Sequence, residues 1–370
     1  MPVWVPWLQG SAERRVTSGM GARHVFLIPN GVAWCTASLI AAELEDDESA
    51  LFVLCRSFEA PKVSAATCRM PFHWNSFPHT LRVPLARAAL RRFRAWWETT
   101  ESGQFHLYLP HFGMPYYQLL AAMPACLSVS YIEEGTAAYY AAGEWRARQR
   151  VRGGWRGKLI SLLGYAGGYR RDVDLFEDQA RRCYGLNEES FPGARLRTWL
   201  VGDLADQRVD FDCQQSMLIA PKASLSGDWD EVALNAALDV VVAHCLEQEV
   251  SSVALKAHPA EGDDGMVTSL CESKLHAAGL AVQKLGQSVV LEGVLARHEV
   301  RLYHMGSSID LYTDRLRGTP IYMGLLRRDA DACVARHLDR QPKAARKLVE
   351  GAIGRAARLI GQDRSEIRRC

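Results

Sequence analysis

At 370 residues the chain is long for one ordinary core and comfortable for two. Hydrophobic residues make up 48% and charged residues 23%, an ordinary globular balance that excludes disorder over most of the length. The formal net charge of +2 makes no case for nucleic acid, and no apolar stretch is long enough to span a bilayer. The cysteines, at 35, 55, 68, 126, 183, 213, 245, 271, 333 and 370, contain no C-x-x-C pair. They read as reduced, mostly buried thiols of a cytosolic protein rather than zinc ligands or disulfides.

Residues 1–22 lack the basic start and apolar core of a signal peptide and read as a loose leader, with Met20 available as an alternative start. The run HVFLIP (24–29) predicts a buried strand, Asn30 and Gly31 a turn, and 32–44 a helix. LFVLC (51–55) is the next strand, which completes a β-α-β unit. Residues 85–99 form an arginine-rich amphipathic helix with Pro84 before it. Strands follow at 105–109 and 127–132, with a helix at 116–122 between them. Helix is predicted again at 172–183, and either a short strand or a connection at 195–201. A second β-α-β series then begins: strand 216–220, helix 229–247, strand 252–256, helix 264–278, strands 280–284 and 288–291, a short helix 294–297, strand 300–304, helix 308–316 and strand 320–323. The tail from Ala330 is helical and basic. The alternation predicts an α/β protein with two Rossmann-like domains, 23–205 and 214–330, followed by basic helices at 331–370.

Three polar motifs sit in fixed order just after strand-forming runs: Glu133, Glu134 and Gly135; then Lys256, Ala257, His258 and Pro259; then Ser307 and Ser308. In open parallel sheets ligands bind beyond the carboxyl ends of the strands, where all three fall. Adjacent carboxylates near a cleft can act as general base, although Glu-Glu-Gly alone is also an ordinary solvated turn. His-Pro after a strand projects an imidazole from a fixed turn, able to donate to a phosphate oxygen or simply to cap a loop. Lys256 lies on the same face two residues earlier. Ser307 and Ser308 open a helix, where serine capping and phosphate binding are compatible. Glu292 follows an apolar run and is either a ribose ligand or a surface acid. Together the groups can deprotonate a hydroxyl on one side and hold a phosphate leaving group on the other, as glycosyl transfer from a sugar nucleotide requires.

In order, domain placement and rough spacing, these motifs resemble those of bacterial sialyltransferases of the GT-B type, the group of capsular polysialyltransferases and lipooligosaccharide sialyltransferases. The resemblance covers roughly 24–325 in architecture but only a few residues in identity. It implies a GT-B fold whose 23–205 domain faces the acceptor and whose 214–330 domain binds the nucleotide sugar across an interdomain cleft. Glu133 would be the base and His258 the acid at the donor phosphate. Ser307 and Ser308 would bind that phosphate, with Lys256 and Pro259 beside it, and Glu292 would hold the ribose. Glu134 and Gly135 would face the acceptor, a hydroxyl of a bacterial surface glycan; apart from the resemblance, His111 at the end of the third strand is either a further acceptor-side group or an ordinary loop histidine. The reaction implied is inverting and needs neither metal nor cofactor, because the CMP-sialic or other nonulosonic acid is itself the substrate. Transferases for CMP-activated Kdo carry similar phosphate-binding elements, and some wall-teichoic polymerases join His-Pro to a serine pair. A CMP-Kdo-dependent transferase of capsule or lipopolysaccharide assembly is therefore the alternative, with a non-catalytic nucleotide-binding assembly protein as a third.

Between Trp145 and Arg171 the chain carries eight Arg and Lys and no acidic residue. Such a segment suits contact with the anionic inner face of the inner membrane, a polyanionic acceptor glycan, or a packed surface helix pair. Tyr139 and Tyr140 could stack on a sugar, but core packing is the simpler reading.

Overall fold

The computed structural model of the chain describes residues 22–45, 48–56, 58–61, 66–78, 82–101, 103–145, 155–165, 181–202, 204, 217–222, 225, 227–258 and 265–367. Residues 1–21 of the leader, Pro259, and the basic segment apart from Trp145 and 155–165 lie outside them.

The first domain is a parallel sheet of β1 (Arg23–Ile28), β2 (Ala50–Leu54), β3 (Ala66–Arg69), β4 (Phe105–Leu109), β5 (Cys126–Ile132), β6 (Arg182–Gly185) and β7 (Leu196–Trp199). The order is β3-β2-β1-β4-β5-β6-β7. Helices α1 (Gly31–Ala41), α2 (Val83–Thr100), α3 (Pro115–Ala121) and α4 (Trp155–Gly164) accompany it. Strand β1 is buried from His24 to Ile28, because it pairs on both sides, Val25 facing Leu51 and Leu107. That continuous apolar run is what a parallel strand covered on both faces demands. Helix α1 starts where Asn30 Oδ1 accepts from the Ala33 amide at 3.0 Å.

The second domain repeats the plan with β8 (Met217–Ala220), α5 (Glu231–Glu247), β9 (Ser252–Lys256), α6 (Met266–Ala277), β10 (Ala281–Leu285), α7 (Leu291–Arg297), β11 (Arg301–His304) and β12 (Thr319–Tyr322). Its order is β10-β9-β8-β11-β12, again all parallel. Both sheets thus reverse direction beside their first strand, between β1 and β4 and between β8 and β11, and a crevice opens at each reversal. Helices α8 (Ala330–Asp339) and α9 (Lys343–Ile367) complete the chain, and α9 reaches back to the 3-10 turn Thr136–Tyr139 of the first domain.

Three expectations are corrected. Residues 288–290 form no strand but an irregular lead into α7, which begins at Leu291. Val290 is spent instead against the turn at Gly31, so a short run with two adjacent valines serves as interdomain packing. The segment 308–315 is a 3-10 helix rather than an α-helix. Cys183 belongs to β6, not to a helix.

The domains meet in a polar seam. The Arg315 guanidinium donates to the carbonyls of Leu186 (2.9 Å), Leu200 (3.3 Å) and Gly202 of the first domain. Asn187 Nδ2 donates to Leu311 O at 3.0 Å. Among the described residues no helix is long and apolar enough to cross a membrane.

Candidate active site

A cavity of about 370 Å³ opens between the two domains at the carboxyl ends of their strands, within the usual range of small-molecule sites. Pro29, Asn30, Gly31, Arg56, Phe58, Glu134 and Thr136 line its first-domain wall. Lys222, Lys256, His258, Gln287, Glu292, Gly306, Ser307 and Ser308 line the other. Of the residues singled out in the sequence, Glu134, Lys256, His258, Glu292, Ser307 and Ser308 are thereby brought together. Glu133, Gly135 and His111 stand just behind the wall.

The acidic motif leaves β5 and splits its two carboxylates. Glu133 is fully buried. Its Oε1 accepts from the Tyr312 hydroxyl of the other domain at 2.6 Å, and its Oε2 accepts from the Leu186 amide at 2.7 Å. Burial raises its pKa, opposed by the hydrogen bonds it accepts. Glu133 is therefore held in the seam, and the carboxylate of the pair that lines the cavity is that of Glu134. The reason is register: Ile132 and Glu133 continue the β5 pairing, the Glu133 amide donating to Tyr184 O at 3.0 Å. Glu134 is the first residue free to turn outward. Its carbonyl accepts from Asn30 Nδ2 at 3.0 Å, which ties the motif to the cap of α1. Its carboxylate lies 3.6 Å from His111 Nε2. His111 Nδ1 accepts the Gly113 amide at 2.8 Å, so a neutral ring carries its proton on Nε2, toward Glu134.

Gly135 has φ +118° and ψ −143°, a region open essentially to glycine. A Cβ there would stand 2.8 Å from both Cβ and Oγ of Ser308. The acidic motif and the serine pair are thus in close contact across the domain boundary. Gly31 and Glu292 form a second such contact: a Cβ on Gly31 would lie 2.7 Å from Glu292 Oε2. Burial raises the pKa of the Glu292 carboxyl, and the Lys256 charge works against the shift.

On the second-domain wall, Lys256 is buried and its Nζ donates to Gln287 Oε1 at 3.0 Å. His258, two residues on, is exposed to the cavity. Ser307 Oγ accepts from the Ile309 amide at 3.3 Å. His304, wholly buried at the end of β11, shapes the turn: its Nδ1 accepts the amides of Gly306 (3.1 Å) and Ser307 (3.0 Å), and its Nε2 lies 3.1 Å from Asp310 Oδ1. Those two amides are therefore committed inside the protein, and Ser307 and Ser308 present side chains rather than a bare helix start. Tyr139 is buried in the core, whereas Tyr140 is half-buried.

Lys222, which the sequence reading passed over, lines the cavity directly after β8. A Pro-Lys step at the end of the first strand of the second β-α-β unit was the signal available. Arg56 is the other omission. It lies two residues beyond β2 with a left-handed backbone (φ 59°), uncommon for a non-glycine residue and often found at functional sites.

No family model and no curated protein matches the chain. Among solved structures, the S. aureus MnaA complex with UDP is similar at 8% identity, over 90% of this chain and 91% of that one, with a TM-score of 0.50. The UDP-GlcNAc 2-epimerase of Neisseria meningitidis bound to UDP-GlcNAc is similar at 8% identity over 93% and 100%, with a TM-score of 0.44. A glycosyltransferase from Rickettsia africae is similar at 8% identity over 94% and 97%, with a TM-score of 0.38. At these identities the likeness is one of fold. Two parallel α/β domains facing each other across a cleft define the GT-B type, and the chain has that fold.

Proposed function

We propose that the chain is a glycosyltransferase that moves sialic acid, or a related nonulosonic acid, from a CMP-activated donor to a hydroxyl of a bacterial surface glycan, with inversion and without a metal. The observation that carries this reading is the convergence on one cavity of a carboxylate from the first domain, Glu134, with His258, Ser307, Ser308 and Glu292 from the second. A cleft with a base on one wall and hydroxyl and imidazole donors on the other suits displacement at an anomeric carbon.

The base falls to Glu134 rather than Glu133, because a general base must reach the proton it removes. His111 would position Glu134 through the 3.6 Å contact. In the reaction the acceptor oxygen forms its bond to the anomeric carbon as its proton passes to Glu134. The bond from that carbon to the phosphate oxygen breaks, and the electron pair leaves with CMP. Negative charge grows on the phosphate, where His258 and the serine hydroxyls would stabilise it more in the transition state than in the ground state. Glu292 would accept from the ribose hydroxyls.

The test is release of nucleotide from a donor panel of CMP-Neu5Ac, CMP-Kdo and UDP-GlcNAc. UDP-GlcNAc belongs in it because the solved neighbours in complex carry UDP or UDP-GlcNAc. Turnover of CMP-Neu5Ac above the other two is expected. Preference for CMP-Kdo would move the donor to the alternative, and turnover of UDP-GlcNAc alone would overturn the CMP reading.

A further inference from the structure

Lys222 leaves the second sheet at the point where its strand order reverses. Its strand, β8, lies between β9, which leads to His258, and β11, which leads to Ser307 and Ser308. Of the cavity's side chains it therefore stands on the middle strand, with the two candidate phosphate-binding turns on either side. Its stem packs on the second of them: a Cβ on Gly306 would meet Lys222 Cε at 3.4 Å on one side and His337 Cε1 at 3.2 Å on the other. Gly306 itself has φ +109°, so the turn requires glycine there and stays closely applied to the lysine.

The charges around Lys222 are unequal in their commitments. Arg336 and Arg340 both pair with Asp228, at 2.6 and 2.7 Å. Lys256 is engaged by Gln287 at 3.0 Å. Lys222 has no carboxylate within ion-pairing distance among the described residues. Burial, and next the charge of Arg340, hold its pKa below the ordinary lysine value, and the charge of Asp228 offsets this only in part. His337, behind the same turn, is pushed down to about 4, chiefly by burial, so it is neutral at physiological pH and supplies no competing charge.

An ammonium in a cleft, partly stripped of water and with no carboxylate at ion-pairing distance among the described residues, is a site for an anion. We infer that Lys222 is the charged anchor for the phosphate of a bound nucleotide, placed between the turn of His258 and the turn of Ser307 and Ser308. The inference deepens the transferase reading and takes from it only the choice of a nucleotide as ligand. Lys256, the lysine that the motif suggested, is then a support for the Gln287 and Glu292 side of the cavity rather than the phosphate ligand.

The experiment is calorimetric titration of the full chain with CMP, UMP, cytidine and inorganic phosphate, on the wild type, Lys222→Met and Lys222→Arg. Expected are CMP affinity well above that of cytidine, a loss of tenfold or more for CMP in Lys222→Met, no change for cytidine, and substantial recovery in Lys222→Arg. Circular dichroism of each variant separates misfolding from a lost contact. Equal losses for CMP and cytidine, an unchanged CMP affinity in Lys222→Met, or no binding of any phosphate-bearing probe to the wild type would overturn the inference. Failure of the transferase reading looks different: nucleotide binds and depends on Lys222, but no donor sugar is turned over.

Discussion

Glu133 and Glu134 are neighbours with opposite surroundings, and their substitution separates structure from chemistry. Glu133 joins the Tyr312 hydroxyl of one domain to the Leu186 amide of the other. A glutamine there keeps one acceptor oxygen but turns an amide group toward one of two donors. Glu133→Gln should therefore lower stability by about 1–3 kcal/mol, the cost of leaving a buried polar group badly paired, as read by chemical denaturation. An unchanged midpoint would show that the carboxylate is not needed in the seam. The acidic pair was legible as a functional motif because it closes an apolar strand before a glycine. Which of the two acids faces the cleft was not legible, because that depends on how far the β5 pairing continues, and the pairing with Tyr184 is made by a strand remote in sequence. Lys222 was missed for a related reason: its significance comes from a sheet reversal between β8 and β11, which only the assembled strand order reveals.

Turns carry the contacts between the domains. At Gly135 the backbone conformation and the proximity of Ser308 both oppose a side chain. Gly135→Ala should cost about 1–3 kcal/mol for the backbone alone, with a further loss from the clash. Adding Ser308→Gly removes the atoms that the new methyl would strike, so the double variant should recover the clash and keep the backbone cost. Full recovery, or none, in thermal denaturation would contradict this division. The alternation of buried strands and capped helices was readable because β1, β2, β4, β5, β8 and β9 are apolar runs bounded by turn residues. Strands β3 (ATCR) and β6 (RCYG) were not, since four residues of mixed polarity carry no periodicity and are held as strands by the neighbours they pair with. The run at 288–290 misled in the opposite direction, its apolar side chains being used in the cleft wall rather than in a ladder.

Among the described residues, the buried carboxyl groups of Glu133 and Glu292 have pKa values raised in the folded state mainly by loss of water. A carboxyl with a raised folded pKa contributes most to stability below its unfolded value, near 4.3, and that contribution is lost as pH rises through the folded pKa. Glu292→Gln imitates the protonated form. It should match the wild type near pH 4.3 and exceed it in melting temperature at pH 7, by roughly 1 °C per kcal/mol recovered at this chain length. A variant less stable than the wild type at pH 7 would mean that the ionised carboxylate is held by favourable contacts. The two sheets, each reversing beside its first strand, place Glu134 and Glu292 on facing walls of one cavity, and the account rests on Glu134 being the base of that cavity. The most direct measurement is single-turnover sugar transfer from CMP-Neu5Ac by Glu134→Gln, set beside its affinity for CMP. The account predicts transfer reduced by a factor of about 10² or more, in line with the worth of a general base, with CMP affinity close to that of the wild type. Full transfer by Glu134→Gln would contradict it.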